Sequence, residues 1–256
     1  MYKTRLLKES NSFKSLFAWI LIIFKKVCTM AENSASSVPE PSTTEPTTSV
    51  SQEEDQTNKA ERQAKGEFVR GVSTARSVIS TDGEYPPEAG RYHLIVAFNC
   101  PWCHRVALAR SILGLQDVMT MDVLMPVRTE EDHPQGEGKW QFKPEGLTAR
   151  NGDFVQYAEC TADTVTGKST VVEIYKESDL EQRSVPILFD KKTNKVINNE
   201  SSEIMRMMET EMISLGTKPE LELYPSHLIE KIEEWNAITY PKINNGAYKS
   251  GFSSIQ

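Results

Sequence analysis

The sequence predicts an α/β domain followed by a helical region. Three observations predict it. Residues 91–98 form an apolar run with strand periodicity. A helix and a second apolar strand follow within about 35 residues, the length of one βαβ unit. From Glu200 onward the apolar residues recur at helical spacing.

In the first strand Tyr92, Leu94, Val96 and Phe98 alternate, and Ile95 and Ala97 make the other face apolar too. Such a strand lies inside a sheet covered by helices. Cys100-Pro101-Trp102-Cys103 follows at once. The helix then runs to about Leu115, with Val106, Ala109, Ile112 and Leu113 on one face and Gly114 near its end. Residues 118–125 are a second strand, parallel to the first. Residues 126–165 contain Pro126, Pro134, Gly136, Gly138 and Pro144 and read as a long loop. Residues 185–189 are a third strand and 195–197 a short fourth, after a turn at Lys192-Thr193-Asn194. Glu200 to about Ile213 is a helix whose Ile204, Met207, Met208 and Met212 read as core. From Pro225 a further helix carries Leu228, Ile232, Trp235 and Ile238, ending near Asn244-Asn245-Gly246.

The flanks differ in composition. Residues 1–30 carry six basic side chains and one acidic one; residues 31–60 carry six acidic ones and one Lys. The apolar run 16–24 is too short for a bilayer core, which needs about 20 residues. It reads as a targeting segment, or as mis-assigned sequence ahead of a start at Met30. Residues 31–67, rich in Ser, Thr, Pro, Glu and Gln, read as a disordered linker, with order beginning near Phe68. The domains then fall at 68–215 and 220–256. A net charge of −7 over 256 residues argues against a nucleic-acid surface. Four cysteines in this length fit a reducing compartment, and Cys28 and Cys160 read as incidental.

A thiol attacks only as its thiolate. Cys100 stands where a strand enters a helix, so unpaired first-turn N–H groups and the helix dipole favour its anion. Pro101 suits the first helical position. His104 and Arg105 add positive charge nearby. Cys100 is therefore the exposed nucleophile and Cys103 the more buried candidate resolving thiol. The same residues admit haem attachment through Cys100-x-x-Cys103-His104, half of a zinc site, or two core cysteines. The apolar strand running into the motif argues against haem. No second ligand pair supports zinc, so no metal is expected.

Two later features point the same way. Pro186, in Ser184-Val185-Pro186-Ile187-Leu188, stands at a strand start. In thioredoxin-like folds this proline is cis, and the Val185 backbone can pair with an extended peptide ligand. Asn199-Glu200-Ser201-Ser202-Glu203 opens a helix. Its free N–H groups form an anion site and Glu200 can hold an ammonium, as a γ-glutamyl group requires. Plain helix capping explains the same residues.

These motifs resemble the glutathionyl-hydroquinone reductases, the Xi-class glutathione transferases. The resemblance rests on Gly90-Arg91-Tyr92-His93-Leu94, Cys100-Pro101-Trp102, His104-Arg105, Gly114-Leu115 and Trp140-x-Phe142. It continues through Val185-Pro186-Ile187-Leu188, residues 199–204, Leu223-Tyr224-Pro225 and residues 244–252. It implies a thioredoxin-like α/β N-terminal domain followed by the start of an all-α glutathione-transferase C-terminal domain, here apparently truncated. It implies Cys100 as nucleophile and Trp140 packing on glutathione. Val185 beside Pro186 pairs with the cysteinyl backbone, Glu200 and Ser201 hold the γ-glutamyl end, and Arg183 contacts the glycyl carboxylate. Tyr240 and Tyr248 border the aromatic substrate, with Tyr240 a candidate proton donor. The family carries Ala or Ser where this chain has Cys103.

The expected activity is glutathione-dependent deglutathionylation of glutathionyl-hydroquinones, with glutathione as co-substrate. The alternatives are a glutaredoxin-like dithiol thiol-transferase acting on mixed disulfides through Cys100 and Cys103, and a non-catalytic redox-sensing module. A homodimer is the protein partner left open, and no stable membrane span is expected. The expected location is the cytoplasm, or a plastid or mitochondrion if residues 1–30 are a targeting segment.

Overall fold

A computed structural model describes residues 73–128, 138–148 and 152–252. The readings of residues 1–30 and 31–67, the onset near Phe68, and Cys28 lie outside the described residues.

Strand β1 (Tyr92–Val96) is buried along its whole length. It pairs in parallel with β2 (Thr120–Val123) and antiparallel with β5 (Ile187–Asp190), which pairs antiparallel with β6 (Lys195–Asn198). The sheet order is β2-β1-β5-β6. Helix α1 (Pro101–Ile112) connects β1 to β2, as the parallel unit requires. Helices α1 and α3 (Ser201–Thr210) pack together, and α2 (Val171–Glu177) lies against β6. This βαβ unit followed by ββα is a thioredoxin-like α/β domain. Arg91 clamps the buried Asp190 through two hydrogen bonds of 2.8 and 2.7 Å, bracing β1 against β5. Burial pushes the Asp190 carboxyl up, but Arg91, Thr193 and the Lys192 N–H outweigh it and hold it below the usual range.

Strands β1, β2 and β5 are shorter than the sequence patterns suggest, and β6 runs one residue further than read, to Asn198. Val118 and Met125 lie beyond the ends of β2, and β5 begins only at Ile187. Ile112 is partly exposed; Cys103 and Ala107 are buried in its place, alongside Val106 and Ala109. The stretch read as one loop holds a short antiparallel pair, β3 (Leu147–Thr148) and β4 (Phe154–Val155). Helix α2 was absent from the sequence reading. Its signal is Thr170-x-x-Glu173, where the Glu173 carboxylate accepts the Thr170 N–H at 2.8 Å. Ile204, Met207, Met208 and Met212 are core residues as expected.

The C-terminal region is helical but thinly packed. A 3-10 turn (Ser226–Leu228) leads into α4 (Ile229–Thr239). The helical path does not end near Asn244. A π-helical turn (Tyr240–Asn244) takes up Pro241, and α5 (Asn245–Phe252) continues. No residue of α4 is buried. No helix among the described residues is long and apolar enough to cross a membrane.

Candidate active site

Cys100 is the N-cap of α1, with extended backbone (φ −96°, ψ 118°). The chain leaves β1 and folds back sharply, the Cys100 N–H donating to Ala97 O at 2.9 Å. Its sulfur is half-buried, 3.9 Å from Val185 O. Its pKa is lowered from 9.0 to about 6. The largest cause is a hydrogen bond from the Cys103 thiol; burial opposes it, and the Cys103 and Trp102 backbone N–H groups and the Arg128 guanidinium add to it. The sulfur makes no regular capping hydrogen bond, so those amides act on it as nearby dipoles. Cys103 is fully buried. Burial pushes its thiol well above the ordinary range, and the Cys100 sulfur pushes it further. One thiol of the pair is poised as an anion and the other holds its proton.

A charge that the sequence did not point to acts on the sulfur, that of Arg128. Arg105 lies with its guanidinium 5.6 Å from the Trp102 ring centre. Asn99 Nδ2 donates to Pro126 O at 2.6 Å, tying the loop after β2 to the motif. Two residues on, Arg128 stacks 4.5 Å from the centre of the Trp140 ring. Trp140 is buried beneath it, its segment held by bonds from Met125 N to Gln141 O (2.9 Å) and from Val171 N to Trp140 O (3.1 Å). Nothing in the local sequence marks Arg128, because tertiary packing brings it to the thiol.

The second missed residue is Trp102. Its ring centre lies 6.0 Å from that of Tyr240 and 6.3 Å from that of Tyr248, the latter nearly parallel at 24°. The helical region thus sets both expected tyrosines beside the residue two positions after the nucleophile.

The expected peptide-binding elements also converge. The Val185–Pro186 bond is cis, and both residues are buried. Beneath them Tyr175 Oη donates to Ser184 O (2.9 Å) and Asn199 Nδ2 donates to Ser184 Oγ (3.0 Å), joining α2 to the segment before α3. Ser201 is buried at the first turn of α3. Glu200 is its N-cap, accepting from Ser202 N at 3.4 Å and Ser202 Oγ at 3.2 Å. Glu200 is half-buried, and its carboxylate caps the helix. Arg183 is exposed two residues before Val185. Cys160 is buried and accepts the Lys143 N–H at 3.4 Å. Among the described residues no group of three His, Cys, Asp or Glu side chains could hold a metal ion.

The model of the glutathione S-transferase N-terminal domain matches residues 99–211. The glutathionyl-hydroquinone reductase PcpF of Sphingobium chlorophenolicum is 33% identical over 194 residues, covering 75% of this chain and 55% of that protein. The crystal structure of the Xi glutathione S-transferase of Phanerochaete chrysosporium superposes with a TM-score of 0.65 at 36% identity, over 75% of this chain and 58% of that one. The chain belongs to the Xi-class glutathione transferase family. The glutathione-bound structure of a transferase homolog from Escherichia coli K-12 superposes with a TM-score of 0.60 at 31% identity, over 74% of this chain and 59% of that one. The chain spans 55–59% of the length of the curated relatives it matches. The family thus accounts for the α/β domain and for the helical region that follows it.

Proposed function

We propose that the chain carries the glutathione-dependent deglutathionylation of glutathionyl-hydroquinones. One observation carries this reading: a thiolate-prone Cys100 stands beside an aromatic cluster of Trp102, Tyr240 and Tyr248. The relatives named for this activity and the glutathione-bound relative support it.

Cys100 thiolate attacks the sulfur of the glutathionyl-hydroquinone. The sulfur–ring bond breaks, and its electron pair stays with the ring carbon, which takes a proton from Tyr240. The ring leaves as the reduced hydroquinone, and Cys100 remains disulfide-linked to glutathione. A second glutathione attacks that disulfide, releasing oxidised glutathione and the Cys100 thiolate. Val185, Glu200 and Ser201 hold the peptide, and Trp140 packs against it beneath Arg128. The stacked face of Trp102 and Tyr248 suits a flat ring. Cys100→Ser is expected to lower turnover by more than about 10³-fold. Mass spectrometry after incubation with oxidised glutathione should find one glutathione on Cys100 of the wild type and none on the variant. A wild-type chain that takes up no glutathione sinks the reading.

The buried Cys103, one turn behind Cys100 in the cluster that Cys100 packs against, favours a second reading, a dithiol thiol-transferase. Cys103→Ser separates the two. Deglutathionylation that survives this change supports the first; disulfide reduction that requires both thiols supports the second.

A further inference from the structure

We propose a second activity for this site: Cys100 and Cys103 together reduce hydroperoxides, closing an internal disulfide that glutathione reopens. The proposal rests on the reading above for one point, that Cys100 is an accessible thiolate. It goes beyond it in the oxidant and in the use of Cys103.

The argument starts from the asymmetry of the pair. Cys100 is half-exposed at the N-cap; Cys103, one turn into α1, is fully buried. Positions three apart on a helix share a face, so both sulfurs turn toward the same side. Cys100 packs against the core cluster that contains Cys103. A small oxidant therefore reaches Cys100 first, and Cys103 meets it only through Cys100. Low-pKa accessible thiols next to a resolving cysteine are the ones that oxidise reversibly.

The chemistry balances. Cys100 thiolate attacks the outer oxygen of a hydroperoxide, the O–O bond breaks, and the alcohol leaves. Cys100 is now a sulfenic acid. Cys103 sulfur attacks it, forming the S–S bond and breaking the S–O bond. The proton that burial has kept on Cys103 departs with the hydroxide as water. One glutathione then opens the disulfide at Cys100, returning Cys103 to a thiol, and a second releases oxidised glutathione. The sum is one hydroperoxide and two glutathiones giving alcohol, water and oxidised glutathione. Without Cys103 the sulfenic acid stays exposed and climbs to the sulfinic and sulfonic acids, which glutathione does not reverse.

The test treats the full chain with hydrogen peroxide, then maps the cysteines by peptide mass spectrometry before and after glutathione. The wild type is expected to lose two hydrogens across the Cys100–Cys103 peptide and to recover both thiols with glutathione. Cys103→Ser and Cys103→Ala, each checked for an unchanged circular dichroism spectrum, are expected to add oxygens at Cys100 irreversibly. Dimedone should trap the sulfenic acid in both variants. The proposal is overturned if the wild type gains oxygens at Cys100 as fast as the variants, or if Cys100 pairs with Cys28, Cys160 or a second chain instead. If Cys100 accepts glutathione from oxidised glutathione yet forms no internal disulfide, this proposal alone fails. If Cys100 is inert to both, the function proposed above fails with it.

Discussion

The sheet region and the C-terminal helices use their apolar residues differently. All five residues of β1 and all four of β5 are buried, and α3 buries Ile204, Met207 and Met208. Helix α4 buries none, and leaves Trp235 56% and Ile238 48% exposed. The groups that ionise Cys100 all lie in the sheet region: Cys103, the first-turn amides and Arg128. The helices contribute Tyr240 and Tyr248 at the face of Trp102. The groups that acidify the thiol thus sit in the well-packed region, and the two tyrosines beside Trp102 in the lightly packed one.

The sharpest way to break this comparison is stability. Phe189→Ala, at a fully interior site of β5, is expected to cost about 3–5 kcal/mol in urea unfolding. A much smaller loss would mean that the sheet core is not what holds the region together. Next comes ionisation. Iodoacetamide labelling of Cys100 should be half-maximal near pH 6, where its pKa lies. Below that pH the thiol protonates and labelling falls about tenfold per unit; above it the rate is flat. Cys103→Ala removes the leading hydrogen bond and should raise the midpoint by about one unit, with Arg128→Gln moving it in the same direction by less. Changes in the helices should not move it at all. Tyr248→Ala tests the other side. It should lower kcat/KM for a glutathionyl-hydroquinone about three-fold, the scale of one aromatic pair, with the labelling profile unchanged. The smallest effect expected is for Trp235→Ala, within about 0.5 kcal/mol of wild type. A large loss there would show that α4 packs on something essential.

What the sequence revealed follows the same division. Strand β1, helix α1 and the Met207/Met208 face were legible because local periodicity reports burial directly. The cis proline and the cysteine pair were legible because motif and context lay in adjacent residues. Helix α2 was missed because its capping signal at Thr170 follows Gly167 and a run of Ser and Thr, and its seven residues are too few for a strong period. The end of the last helix was misplaced because Pro241 and Asn244-Asn245-Gly246 carry ordinary stop signals, which the π turn overrides. Arg128 and Trp102 were not assigned because their roles depend on Asn99 holding Pro126 and on where Tyr240 and Tyr248 come to rest.

Helix α1 also has a far end. Gly114 just beyond it has φ +68°, and a Cβ there would stand 2.1 Å from Thr217 Oγ1. The Thr217 N–H donates to Gly114 O at 3.1 Å, on the segment that departs toward the C-terminal helices. A single rod of twelve residues, roughly 18 Å long, therefore carries the nucleophile at one tip and the mooring of the departing chain at the other. Its length sets the phase between them. One residue inserted along the rod would turn Trp102 by about 100° relative to the mooring, leaving the sulfur its acidity while swinging the indole away from both tyrosines.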